Sequence, residues 1–329
     1  VSAETPLVEL HQHVDGSIPV ATTWELMQRH DLAPVDTVEA MERLLALQPE
    51  EEGSLLAYLD KFHYPLWITQ FYENIVLVTE RIVQEAYDLG VRVLELRYSP
   101  VIHTYAGLTL RQSIAAVLSG LNHAADRLDG IAVGLVVIAM RQHGPHLAKI
   151  LARQATSESE RFHTRSGVVG FDIAGAERGN PPRLFREAYE VARSGGLFLT
   201  CHAGEDEGPE NVWQAVDALG VNRVGHGCSA VQDPELVKRL ARDRILVECC
   251  LTSNRQTGSV AEIEQHPIFT FLEAGVPVAI CTDNTTVSGT DLRRENELVA
   301  RRLGRDVVEE IHRAARQQSF IAAVRGEDS

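Results

Sequence analysis

Pro6-Leu-Val-Glu-Leu-His-Gln-His-Val-Asp-Gly-Ser17 is a short apolar run that ends in two histidines and a Gly-Ser turn. Residues at i and i+2 of a strand face the same way, so His11 and His13 stand together at the end of a first strand. Two imidazoles on one face make half of a metal site, and zinc is the usual occupant of nitrogen-rich sets. No Gly-x-Gly-x-x-Gly follows, so the run does not open the dinucleotide-binding turn of a doubly wound sheet.

The rest of the chain extends this first strand into a repeat. Further β-branched or apolar runs lie at 91–98, 131–140, 167–173, 197–202, 222–226, 245–250 and 276–282, which with 6–11 makes eight candidate strands. Amphipathic stretches separate or follow them at 109–128, 145–163, 182–195, 209–219, 232–243, 263–274, 290–304 and 306–324, and a polar tail ends the chain. A strand followed by a helix, repeated eight times over ~250 residues, is the order a closed barrel requires. The predicted fold class is α/β, a (β/α)8 TIM-type barrel with a helical insertion after strand one, forming one domain over 1–329. The insertion is placed at about 16–90, an interval too long for one βα unit, with helical patterns at Thr23–Arg29, Val38–Ala46, Leu55–Phe62 and Glu73–Leu89. It caps the barrel mouth. Its dense apolar residues Leu56, Leu59, Phe62, Tyr64, Leu66 and Trp67 either bury it against the barrel or line a pocket.

Composition narrows the ligand. The 329 residues are 44% hydrophobic, enough for a large core, and carry a net charge of −15. That balance argues against nucleic acid and anionic membrane surfaces, which need clustered Lys and Arg, and points to a small, not strongly anionic molecule. No apolar stretch approaches a membrane span, and the first residues lack a charged segment followed by an apolar one. Five cysteines in apolar contexts, without Cys-x-x-Cys spacing, read as reduced core residues of a cytoplasmic chain.

Barrel enzymes take their active-site groups from the C-terminal ends of the strands. At those ends stand His11, His13 and Asp15 (strand one), Asp172 and Gly175 (four), His202 and Glu205 (five), His226 (six), and Asp283 and Asn284 (eight). His11, His13, His202 and Asp283 supply three nitrogens and one carboxylate oxygen and leave room for a water, whose pKa zinc lowers to about 7. His226 is then free to orient or deprotonate that water. Glu205, three residues beyond His202, is a carboxyl beside the metal; partly desolvated, it keeps a raised pKa and passes protons. Val168–Gly175 contains no Lys to bridge a second ion, which favours one Zn2+ per chain.

These residues resemble a known family. His-Gln-His-Val-Asp-Gly-Ser at 11–17, Glu95-Leu-Arg-Tyr-Ser-Pro100, Phe171-Asp-Ile-Ala-Gly-Ala-Glu177, Cys201-His-Ala-Gly-Glu205, Gly225-His-Gly227, Leu251-Thr-Ser-Asn254 and Cys281-Thr-Asp-Asn284 follow one another as in the adenosine deaminase group of the amidohydrolase superfamily. The resemblance spans essentially the whole chain. It implies hydrolytic deamination at C6 of a purine nucleoside, with His11, His13, His202 and Asp283 holding zinc and Glu205 protonating ring N1. His226 would position the attacking water, the Gly175 N–H would meet N3, Asp15 a ribose hydroxyl, and Asn284 N7. Well-known members carry a second Asp at 284; the Asn amide still offers a donor.

Asp15 in His-Gln-His-Val-Asp-Gly favours a nucleoside, because relatives acting on free adenine look like His-x-His-x-Glu-Gly and those acting on N6-methylated nucleotides like His-x-His-x-Asn-Gly. The resemblance therefore implies adenosine and 2′-deoxyadenosine, with 6-aminodeoxyfutalosine or 5′-methylthioadenosine as alternatives. Two other readings are a nucleoside-binding protein without turnover, and a two-metal phosphoester or lactone hydrolase. The sequence leaves the oligomeric state open.

Overall fold

A computed structural model describes residues 5–161 and 167–325. Nine parallel strand segments occupy the eight expected places: β1 Leu7–His13, β2 Val91–Tyr98, β3 Ala132–Met140, β4 Val168–Ala174, β5 Phe198–Leu199, β6 His202–Ala203, β7 Arg223–His226, β8 Leu246–Cys249 and β9 Val278–Ile280. Neighbours pair in chain order, from β1 to β5 and from β6 to β9. The seam between β9 and β1 is closed just beyond β9, where His13 N–H donates to the Asp283 carbonyl (2.7 Å) and Asp283 N–H to the His11 carbonyl (2.8 Å). Residues expected to bind metal thus also join the barrel's ends.

Two expected elements are interrupted. The strand at 197–202 is broken: β5 pairs with β4, Thr200 and Cys201 intervene, and β6 pairs with β7. The helix expected over 306–324 runs only Arg305–Gln317 and resumes at Ala322. Its interruption is held by a buried carboxylate, since Glu95 accepts from Ser319 Oγ (2.8 Å) and Phe320 N–H (2.6 Å). Phe320 also stacks on Phe198 and lies under the Arg223 guanidinium. The expected 145–163 helix is described to Arg161; residues 162 and 163 and the polar tail at 326–329 lie outside the described residues.

Capping side chains set several helix starts. Ser54, Thr109, Asp233 and Asp291 each accept from a backbone N–H in the first turn. The interval after β1 forms helices Val20–Arg29, Val38–Leu45, Leu55–Asp60, His63–Ile68 and Tyr72–Asp88. The helix expected over Leu55–Phe62 stops early. Pro65 tolerates only the start of a new helix, because its ring would clash with the Lys61 carbonyl of a continuous one. The insertion is tied to the short helices Leu251–Gln256 and Thr285–Ser288, after β8 and β9, by Gly53 N–H to the Gln256 carbonyl (2.7 Å), Arg255 to Glu52 (2.6 Å) and Tyr58 Oη to Ser288 Oγ (2.7 Å).

Apolar side chains pack between strands and outer helices, whereas much of the barrel interior is charged. Arg97, Asp172, Glu248, Arg223 and Glu95 are fully buried there and paired with one another. All five cysteines are free and buried, as expected. No helix among the described residues is long and apolar enough to cross a membrane.

Candidate metal centre and active site

Backbone register brings the ligand candidates to one point. His13 Nε2 lies 3.3 Å from His11 Nε2 and 3.2 Å from His202 Nε2. Asp283 Oδ1 lies 3.5 Å from His11 Nε2 and 3.2 Å from His13 Nε2. Donors held at about 2.0–2.2 Å around one ion at tetrahedral angles stand roughly 3.3–3.6 Å apart. The observed separations therefore fit the edges of a single coordination shell. His226 belongs to the same cluster, since one donor atom each from His11, His202, His226 and Asp283 fall within 4.8 Å of one another.

Carboxylates stand behind two of the rings. Glu248 Oε2 is 2.8 Å from His11 Nδ1, and Asp172 Oδ2 is 2.8 Å from His202 Nδ1. A proton held on Nδ1 leaves the Nε2 lone pair facing the cluster, as metal-ligating histidines require. Asp172, read from the sequence as one of the groups at the barrel mouth, sits fully buried behind His202 instead. Asp283 Oδ2 accepts from Ser253 Oγ at 2.5 Å. Burial raises the Asp283 carboxyl, but bonds from His11 and His13 outweigh it and hold the group well below its ordinary value. Burial lowers His202 to about 4 despite the charge of Asp172. Asp283 and His202 are thus unprotonated at neutral pH, as donors to a divalent cation must be.

Local geometry is special at two of these positions. His226 and Asp283 both have φ of +64°. Such left-handed non-glycine residues carry strain and cluster at functional sites. Gly225 explains the small residue before His226, because a Cβ there would stand 3.1 Å from His11 Cε1 and 3.3 Å from His202 Cα.

Glu205 lies beside the cluster, with Oε2 3.7 Å from His226 Nε2. Burial first, then the charges of Asp283 and Glu177, push its carboxyl well above the ordinary value, which favours the protonated form. Burial and the neighbouring His11 push His226 well below its ordinary value, so its ring is neutral.

A cavity of about 240 Å³ opens over these groups. His13, Asp15, Gly175, His202, Glu205, His226, Asp283 and Asn284 all line it, while His11 lies fully buried beneath. Of the insertion's apolar residues, Leu59, Phe62 and Leu66 line the cavity; Leu56 and Trp67 turn partly or wholly outward, and Tyr64 packs on His63 and Trp67. Sequence reasoning missed Tyr58, Ser99 and Gln142. Ser99 and Gln142 follow β2 and β3, the strand-end positions where barrel sites are built, so their placement alone was a usable signal. Gly175 has φ of +90°, and a Cβ there would meet Gln142 Oε1 at 2.6 Å. No Lys or Arg is among the described residues lining the cavity.

The Adenosine deaminase family model matches residues 6–327. The chain belongs to the adenosine deaminase family. It is 33% identical over 326 residues to an adenosine deaminase of Shewanella loihica, covering 98% of this chain and 96% of that protein. Its fold is shared with the N6-methyl-AMP deaminase of Arabidopsis thaliana (TM-score 0.83, 27% identity, 98% of this chain and 96% of that one). It is shared equally with an adenine deaminase of Arthrobacter aurescens (TM-score 0.83, 23% identity, 98% and 99%). The protein is a hydrolase of the amidohydrolase superfamily's deaminase type, with a buried cluster suited to a metal ion.

Proposed function

We propose that this adenosine deaminase family member hydrolyses the C6–amino bond of adenosine and 2′-deoxyadenosine, using one Zn2+ per chain and acting as a single capped-barrel domain. The observation that carries this reading is one cavity lined by the metal-type cluster, by Glu205 with its carboxyl pushed well up, and by Asp15, with no lining cation among the described residues to receive a phosphate. The name carried by the Shewanella relative supports it. A nucleotide such as the one named for the Arabidopsis protein would bring a phosphate to a wall that offers no Lys or Arg.

His11, His13, His202 and Asp283 would hold the zinc. A zinc ion supplies a Lewis acid that makes water nucleophilic at neutral pH. Glu205 donates its proton to ring N1, which draws electrons from C6 and prepares it for addition. Gly175 N–H donates to N3 and the Asn284 amide to N7, fixing the purine plane, while Asp15 accepts from a ribose hydroxyl. His226 orients the water. The water oxygen bonds to C6, one water proton passes to the amino nitrogen, and the C6–N bond breaks to release ammonia while the second water proton returns to the Glu205 carboxylate, leaving the 6-oxo product protonated at N1.

Leu59, Phe62, Leu66 and Ile102 give the cavity an apolar wall, which favours 5′-methylthioadenosine as a second reading. Ammonia release should be compared by kcat/KM for adenosine, 2′-deoxyadenosine, 5′-methylthioadenosine, 6-aminodeoxyfutalosine, adenine and AMP. Adenosine first and AMP last is the expected order. A leading thioether or futalosine substrate would move the assignment to 5′-substituted nucleosides. No turnover of any would leave a binding protein.

A further inference from the structure

Hydrogen-bond polarity around His226 is fixed from a backbone group outward. Ile268 N–H lies 3.1 Å from His266 Nδ1 and can only donate, so that nitrogen is an acceptor. Burial pushes His266 down to about 3, so the ring is neutral and its single proton sits on Nε2. That Nε2 lies 3.1 Å from Asn254 Oδ1. The amide must therefore turn its NH2 the other way, toward His226 Nδ1 at 2.9 Å. An amide NH2 is a donor only. His226 Nδ1 accepts, and the proton of this neutral ring is on Nε2, the nitrogen that lies 3.7 Å from Glu205 in the cavity.

This polarity is opposite to that of His11 and His202. A carboxylate lies 2.8 Å from Nδ1 in each of those rings, so their Nε2 atoms present lone pairs. His226 shares the cluster by distance but differs from them in what it offers.

We propose that Asn254 and His266 are positioning residues that fix His226 as an Nε2–H donor, so that it hydrogen-bonds the attacking oxygen instead of ligating metal or accepting a proton. The role in turnover rests on the deaminase reading above; the tautomer does not. Asn254 ends the Leu251-Thr-Ser-Asn254 motif, and His266 lies on the Ile263–Gln265 to Ile268–Glu273 connection. Both residues are buried, and neither lines the substrate cavity.

The direct test is a two-bond 1H–15N correlation spectrum of the full-length protein labelled at histidine, recorded at neutral pH with and without one equivalent of Zn2+. His226 is assigned by its absence from the His226→Gln spectrum. An Nε2–H tautomer in both states is expected. An Nδ1–H tautomer, or loss of the Nε2 proton on adding zinc, overturns the proposal without touching the substrate assignment. Asn254→Asp provides the second arm, because a carboxylate can accept from both His266 Nε2–H and His226 Nδ1–H and so inverts the His226 ring. The spectrum should switch tautomer, with kcat lowered about 10- to 100-fold and KM nearly unchanged. An inverted ring with native kcat would also overturn it. Should Asn254→Asp not fold, the native spectrum still decides.

Discussion

Glu177 holds Glu205 by its backbone. The buried Glu177 carboxylate accepts from Glu205 N–H at 2.8 Å, and also from Gly204 N–H (3.0 Å), Asp206 N–H (3.1 Å) and Asn211 Nδ2 (2.8 Å). The loop after β6 is thus folded around a residue of the β4 loop. The same charge is one of the causes, after burial and Asp283, of the raised Glu205 carboxyl.

Glu177→Gln should therefore act on both geometry and proton affinity. Its amide NH2 would face donors, and losing bonds to a charged acceptor costs about 1.5–3 kcal/mol. In the proposed mechanism turnover needs Glu205 protonated, so activity should be full below the raised pKa and fall as pH rises through it. Removing the nearby negative charge lowers that pKa. The alkaline limb of kcat against pH should move to lower pH, and an unmoved limb would separate Glu177 from the chemistry.

Arg97 joins the supports of two metal-type histidines. Its guanidinium donates to Asp172 (2.9 Å) and to Glu248 (2.8 Å), the carboxylates behind His202 and His11. Arg97→Met removes the cation and leaves both carboxylates buried without it, and breaking such a pair costs about 3–5 kcal/mol. Arg97→Lys keeps the charge but not the fork, and should cost less. Urea denaturation reads the stability loss, and competition with a chromogenic chelator reads zinc affinity. Both should fall in the order native, Lys, Met; unchanged affinity in Arg97→Met would remove Arg97 from the support of the site.

Much of this architecture is legible in the sequence because it depends on local periodicity. The eight strand positions and four of the five helices of the insertion follow from apolar spacing, the unexpected one being His63–Ile68, and the placement of His11 and His13 follows from strand alternation. The broken fifth strand and the stop at 318 do not, because each depends on a distant partner: β4 and β7 for the first, Glu95 for the second. The same holds within the site. Residue types at strand ends mark the candidates His202, His226 and Asp283. Which ring carries its proton on which nitrogen is decided by Glu248, Asp172, Asn254 and His266, and no spacing rule connects residue 11 to 248 or 226 to 254. Glu177 stood inside a family motif, yet its purpose is visible only in the three N–H groups it gathers.

Metal content distinguishes the one-ion deaminase from a two-ion hydrolase. Dialysis against a strong chelator should abolish deamination, and one equivalent of Zn2+ should restore it. An ion that binds only the folded chain adds about 2.7 kcal/mol at a hundredfold excess over Kd, so Tm should fall on chelation and recover with zinc. Elemental analysis should find one zinc per chain. Two per chain with no deamination would restore the phosphoester or lactone reading.

Acid should destabilise the fold through histidines that the site does not use as ligands. Burial pushes His103 and His266 down to about 3 and His312 to about 4. His266 Nδ1 accepts from Ile268 N–H and His312 Nδ1 from Val8 N–H (both 3.1 Å), bonds that only a neutral ring can make, while His103 Nδ1 lies 2.8 Å from Thr69 Oγ1. In the unfolded chain these rings take up protons near pH 6.5. Between that value and the depressed folded pKa values the unfolded state binds more protons, so stability rises with pH. It is fully present above about pH 6.5 and is lost as pH falls toward 3. His312→Gln removes one such group away from the cavity. Urea midpoints for native protein and His312→Gln, measured from pH 7.5 to 4.5, should show a shallower acid slope in the variant; parallel curves would mean that His312 titrates alike in both states.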